Sequence, residues 1–439
     1  MPFLRLQAFL TTLLLLSPAA APAGDFFKLT GHGGPIRAID VSPDGRRLLT
    51  ASFDYSVGLW RSGAPVWLEA HRAAVNAVRF VDASRAVSAG DDNDVRLWDL
   101  ERGVSERLGG HKAKVVALAL SPDRRLVASA SWDGRIGLWP ISGGSARFLE
   151  GHSAGVNDVV FSADGARLYS GSTDGTIRIW DVARGVQTRH MLEGHFGISA
   201  LALDEEAGWL AYGGVDGATR VLDLESAREI ADFTLQRRPI LVMAFDAEKS
   251  RLAVGDGEGF IKVIDSRAWT VLRDFRAALR GPVWALAFSA DGQDILAGGI
   301  DDALYSWPLA SLGAGGLMGG SERSFLRDPA SMDNGERQFQ RKCSICHTLG
   351  PEGLRRAGPT LFGIFGRPAG GVSEYKYSRA LREAAFVWNE DTIDALFDLG
   401  PDRFVPGTKM PMQRIAEPVD RNDLIAFLKQ ATKEREHQK

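Results

Sequence analysis

The chain has 439 residues, 45% hydrophobic and 24% charged, with a formal net charge of -3. This is globular composition, and it excludes wholesale disorder and a multi-span membrane protein. The 49 glycines outnumber the 19 prolines, which points to turn-rich β structure, while only two cysteines, Cys343 and Cys346, are present. No disulfide framework is therefore available, and cysteine chemistry is confined to one place.

From the N-terminus, Arg5 precedes an apolar stretch over residues 9–16 and a small-residue exit, Ala21-Pro22-Ala23-Gly24. This reads as a cleavable signal peptide over residues 1–23, which makes the mature protein exported and periplasmic. The stretch is well short of the roughly 20 residues that cross a bilayer, so no integral membrane anchor is expected.

Between residues 25 and 307 the chain repeats itself with a period of about 40 residues. His32, His71, His111, His152 and His195 recur early in the units. Asp54, Asp92, Asp133, Asp174, Asp216, Glu258 and Asp301 recur late. Six residues after the acid stands a tryptophan in five units: Trp60, Trp98, Trp139, Trp180 and Trp307. Short β-type runs such as Val115-Val116-Ala117-Leu118-Ala119-Leu120 alternate with turn sequences such as Pro43-Asp44-Gly45.

These markers resemble the WD-repeat β-propeller family, an all-β fold, and imply seven blades over residues 24–310. The resemblance implies structural tetrads in four blades: His32/Thr50/Asp54/Trp60, His71/Ser88/Asp92/Trp98, His111/Ser129/Asp133/Trp139 and His152/Ser170/Asp174/Trp180. A buried aspartate is costly unless its oxygens are satisfied, so these histidines read as scaffold rather than as catalytic partners. The fifth unit carries Tyr212 and Leu222 where the hydroxyl and the tryptophan would fall, the sixth has lost nearly all markers, and the seventh keeps Asp301 and Trp307. The last unit ends at its third strand, and Phe26-Phe27-Lys28-Leu29 has no blade of its own, so this N-terminal segment is expected to close the ring. Phe53, Trp132, Val215 and Ile300 precede the blade acids at positions that the resemblance puts on the top face, where they would form an apolar patch for a docking protein.

Residues 311–330 hold the glycine-rich stretch Leu312-Gly313-Ala314-Gly315-Gly316 and read as a linker. Beyond it, in residues 331–439, stands Cys343-Ser344-Ile345-Cys346-His347, the C-x-x-C-H signature of covalent c-type haem attachment. On one helical turn two thiols can reach the two vinyl groups of one porphyrin while the next residue presents an imidazole to the iron. C-x-x-C also serves redox dithiols and half zinc sites, but a zinc site needs further cysteines.

The surroundings resemble a mitochondrial-type class I cytochrome c, an all-α domain. They are Gly335-x-x-x-Phe339, Gly358-Pro359-Thr360-Leu361-Phe362-Gly363, Tyr375-Lys376-Tyr377-Ser378, Trp388 and Pro406-Gly407-Thr408-Lys409-Met410. The resemblance implies one haem c attached at Cys343 and Cys346, with His347 as proximal and Met410 as distal iron ligand. Met412, two residues on, is a competing thioether. It also implies that the Pro359 carbonyl accepts the other ring N–H of His347, and that Arg367, Tyr377 and Trp388 hold a haem propionate. Leu396 and Phe397 stand in the region where the family has a tyrosine near the distal methionine.

Ligation by His and Met fills both axial positions and favours outer-sphere electron transfer over substrate binding. The expected function is therefore a periplasmic one-electron carrier rather than an enzyme, with the propeller as docking scaffold for a redox partner protein such as a membrane-bound respiratory complex. The alternatives are a haem-containing oxidoreductase with a catalytic site in its propeller, and a redox-sensing or assembly factor. Residues 321–439 contain 19 Lys and Arg against 17 Asp and Glu, and the rest of the chain 33 against 38. Lys342, Lys376 and Lys409 are candidates for the haem edge, steering is expected to be modest, and no nucleic-acid partner is expected.

Overall fold

A computed structural model describes residues 26–235, 239–278, 281–310, 332–344, 346–351, 356–408, 410 and 413–432. The expected signal peptide, the glycine-rich linker, Lys409 and Met412 lie outside the described residues.

Among the described residues, twenty-eight strands form seven four-stranded antiparallel sheets arranged as blades. Blade 1 consists of β2 (Ile36–Val41), β3 (Arg47–Ser52), β4 (Ser56–Arg61) and β5 (Ala64–Glu69). The later blades repeat that order, up to blade 6 with β22 (Ile240–Asp246) to β25 (Thr270–Arg276). The third strand of blade 1 is buried along nearly its whole length, because each blade is covered on both faces by its neighbours. One apolar cluster joins Leu49, Val57 and Leu59 of blade 1 to Val75, Phe80 and Trp98 of blade 2. Another joins Ala285, Leu296 and Leu304 of blade 7 to Ile36 and Ile39 of blade 1. The core is thus a ring of shared interfaces rather than one central mass. Side chains also tie each blade to the next: the Asn76 amide donates to the Val115 carbonyl at 2.9 Å and the Asn157 amide to the Ile198 carbonyl at 2.7 Å.

Ring closure falls to the N-terminal strand. β1 (Phe27–Thr30) pairs antiparallel with β28 (Ala303–Pro308), Phe27 opposite Ser306 and Thr30 opposite Ala303, and completes the sheet of β26 (Val283–Phe288) and β27 (Asp294–Gly299). Joining the first and last segments of the ring in one sheet covers the edge that blade 7 would otherwise leave open.

The C-terminal domain is helical: α1 (Asn334–Lys342), short α2 (Arg379–Arg382), α3 (Glu390–Leu399), short α4 (Pro401–Phe404) and α5 (Pro418–Ala431). α3 opens on a capping box in which the Asn389 side chain accepts from the Thr392 amide and Thr392 reciprocates. The first and last helices cross closely at Gly335, where a Cβ would come within 2.1 Å of the Asp423 carbonyl oxygen. Only glycine allows that approach, and it brings Phe339 against Phe427 at 5.6 Å between ring centroids, above fully buried Leu424. No helix among the described residues is long and apolar enough to cross a membrane.

Candidate functional site

The four tetrads form as hydrogen-bonded sets. His32 Nδ1 lies 2.9 Å from Asp54, its Nε2 lies 2.6 Å from the Thr50 hydroxyl, and Trp60 Nε1 donates to that hydroxyl at 2.8 Å. The second and third sets repeat this with His71, Ser88, Asp92 and Trp98, and with His111, Ser129, Asp133 and Trp139. The fourth uses His152, Ser170, Asp174 and Trp180. Both ring nitrogens of each histidine are engaged, which removes them from chemistry. Burial pushes the Asp133 carboxyl up, but the Lys112 amide, Arg135 and His111 together draw it down to about 2. Burial holds His111 and His152 below the usual imidazole range against the pull of their aspartates. In blade 7, Ala297 occupies the hydroxyl position, and the buried Nε1 of Trp307 has no acceptor.

Of the four residues expected to form a top-face patch, Trp132 and Val215 are exposed and line the same cavity at the ring's axis. Phe53 is half-buried and stacks on Trp284 of that cavity at 5.7 Å. Ile300 lines a separate small depression.

The second cavity belongs to the helical domain. Its lining is mainly apolar, with Leu361, Ile364, Ile393, Leu396 and Phe397 among its walls. Cys343, Cys346, His347 and Met410 all line it. The Cys343 amide closes α1 on the Phe339 carbonyl. The Cys346 and His347 amides then both donate to the Cys343 carbonyl, at 3.0 and 2.9 Å, so the two thiols and the imidazole share one helical turn.

Burial pushes the Cys343 thiol up to about 12 and the Cys346 thiol up to about 11. Redox dithiols depend on a thiol held well below its ordinary value, and burial acts in the opposite direction here. His347 is buried and held below its usual range, hence neutral at pH 7. Its Nδ1 lies 2.7 Å from the Pro359 carbonyl oxygen, which directs the ring proton there and leaves Nε2 with a lone pair. The loop carrying Pro359 is lashed beside it by Gly358 N–H to the Cys346 carbonyl at 2.7 Å and Leu361 N–H to the Thr348 carbonyl at 2.8 Å.

Arg367, Tyr377 and Trp388 also line the cavity. The Arg367 guanidinium donates to the carbonyls of Thr360 and Phe362 at 2.8 and 2.9 Å, while its buried Nε has no partner. A buried donor on a fixed cation is what a carboxylate such as a haem propionate would satisfy. The apolar walls, the paired thiols, the neutral imidazole and this orphaned donor fit a haem.

Further residues complete the site. Gln413 lines it beside Met410, whose amide donates to the Thr408 hydroxyl at 3.2 Å. The Tyr375 hydroxyl donates to the Ala357 carbonyl, bracing the loop near Cys346. Tyr55, from blade 1, also faces the cavity. Lys342 lines it, whereas exposed Lys376 pairs with Glu69 of the propeller at 2.5 Å.

Two families match the chain. The profile of the WD domain, G-beta repeat, matches residues 26–61, 66–99, 104–140, 143–181 and 269–307 and passes over most of blades 5 and 6, where the markers are lost. The Cytochrome c profile matches residues 332–432. Cytochrome c of Sesamum indicum is 42% identical over 106 residues, 24% of this chain and 93% of that protein. Cytochrome c of Chlamydomonas reinhardtii is 41% identical over 110 residues, 25% of this chain and 97% of that protein. A cytochrome c homolog of Rickettsia felis is 40% identical over 104 residues, covering 24% of this chain and 58% of that protein.

Proposed function

Because the chain belongs to the cytochrome c family through residues 332–432 and carries WD repeats in the ring before them, we propose a periplasmic one-electron carrier with a single haem c and the propeller as its docking scaffold. The bound haem supplies an iron that alternates between the ferrous and ferric states. Cys343 and Cys346 would hold it by thioethers, and His347 and Met410 would ligate its iron. His347 would donate its Nδ1–H to the Pro359 carbonyl and offer Nε2, a thioether at Met410 would favour the reduced state, and Arg367, with Tyr377 and Trp388, would pair a propionate.

The single observation that carries this reading is the buried His347, its ring held by Pro359 on the same helical turn as the two cysteines, in a cavity shared with Met410. Ligation by both His347 and Met410 would leave the iron no open position for substrate, which favours electron transfer over substrate chemistry. The absorption spectrum tests this. The oxidised protein should show the methionine–sulfur charge-transfer band, and Met410→Ala should abolish it while the haem stays attached. Ready binding of carbon monoxide by the reduced wild type would rule the assignment out. Export is supported by the composition of residues 1–23, and the N-terminal sequence of the mature protein should begin at Gly24.

A further inference from the structure

The turn between β3 and β4 carries Tyr55 directly after the blade acid, in the left-handed region with φ 70. The matching turns of blades 2 to 6 place Asn93, Gly134, Gly175, Gly217 and Gly259 there at φ 67 to 92, residues that reach this conformation at little cost. A bulky side chain in that region is an outlier, and such outliers mark sites where another demand has overridden backbone preference. Here the side chain faces the haem cavity, in the wall that also holds Cys346 and Tyr375. Tyr55 is thus a propeller residue in the wall of a cavity otherwise formed by the helical domain.

Contacts on either side hold the turn in place. The Ala357 amide donates to the Gly33 carbonyl of the propeller at 3.2 Å. Lys376 pairs with Glu69, and Arg356 lies 3.6 Å from Asp302, the residue that follows the acid in blade 7 as Tyr55 does in blade 1. Two acids of the mildly acidic ring thus face two cations of the helical domain, on adjacent blades.

We infer that Tyr55 is a positioning residue of the haem site, supplied by the propeller, which closes the cavity beside Cys346 and lowers the haem's exposure to water. This rests on the reading of the cavity as the haem site. Less exposure disfavours the more highly charged ferric state, so the closed wall raises the reduction potential.

The test uses the full holoprotein. Tyr55→Gly restores the residue of the sister turns, so the ring should fold with unchanged or higher thermal stability, while the reduction potential shifts down and reduction by ascorbate quickens. Tyr55→Phe, which keeps the ring and drops the hydroxyl, should retain the wild-type potential. Glu69→Lys, which removes the ion pair with Lys376, should quicken reduction by ascorbate about two- to fivefold, the worth of one exposed ion pair. Adding Lys376→Glu should restore the wild-type ascorbate rate. If Tyr55→Gly folds with the potential and ascorbate rate of the wild type, the inference is overturned. A wild type that lacks covalent haem or the methionine–sulfur band would instead overturn the reading of the cavity.

Discussion

Gly358 lies against the ring of His347 so closely that a Cβ at position 358 would stand 2.4 Å from Cε1 of the imidazole. The same glycine anchors its loop through its amide on the Cys346 carbonyl. Backbone, not side chain, therefore forms the wall behind the proximal imidazole.

Gly358→Ala should accordingly displace the His347 ring or its loop. Overpacking at a confined site costs about 1–3 kcal/mol, and here the strain falls on the axial ligand. The expected outcome is a holoprotein with both thioethers intact, a lower melting temperature and an altered ferric spectrum. An unchanged spectrum and melting curve would show that the ring has room to spare.

Arg367 has two roles that substitution separates. Arg367→Lys keeps the positive charge but cannot reproduce the fork to Thr360 and Phe362, whereas Arg367→Ala also removes the charge. Both should lose about 1–3 kcal/mol for the carbonyls left without donors. Arg367→Ala alone should lower the reduction potential strongly, since a cation beside the haem favours the reduced form. Redox titration of the two variants side by side checks this.

Acid stability should be set by the ring. The Asp133 and Asp174 carboxyls are held at about 2, below their unfolded range, so the stability they contribute is present above about pH 4 and is lost as pH falls toward 2. His111 and His152 are held low, so the unfolded chain binds more protons below about pH 6.5, and their effect also weakens the fold as pH falls. All four groups act in the same direction. Urea unfolding followed by tryptophan fluorescence from pH 7.5 to 3 should show a steadily falling midpoint, and Asp174→Asn should flatten its acid end.

Blade 7 offers a gain rather than a loss. Ala297→Ser would place a hydroxyl where Ser129 of blade 3 serves Trp139, and would give the buried Trp307 Nε1 an acceptor. The expected stabilisation is about 1 kcal/mol, visible as a higher urea midpoint with an unchanged slope. A lower midpoint would show that the hydroxyl is left unsatisfied there.

Much of this architecture was legible in the residues, because the signals were local or periodic. The tetrad markers survive in blades 1 to 4 since each buried aspartate needs its donors, and they fade in blades 5 and 6, where apolar packing around Trp209, Val221 and Ile261 holds the sheets instead. The unpaired strand at 26–29 was legible as ring closure from the count of strands alone. Position before a blade acid says that Ile300 and Trp132 occupy equivalent turns, but not which cavity each one lines.

The haem motif itself could be read without coordinates, since two cysteines and a histidine within five residues must share a helical turn. What the tertiary structure alone decided is which distant groups surround that turn. The Nε of Arg367 is an orphan only because the two carbonyls beside it take the rest of the guanidinium. Tyr55 stands about 290 residues from Cys346 in the chain and carries no motif. It reaches the cavity because Glu69 with Lys376, Asp302 with Arg356 and Gly33 with Ala357 seat the helical domain on blades 1 and 7. Such placement is set by the meeting of two separately folded surfaces, for which no local pattern in either one codes.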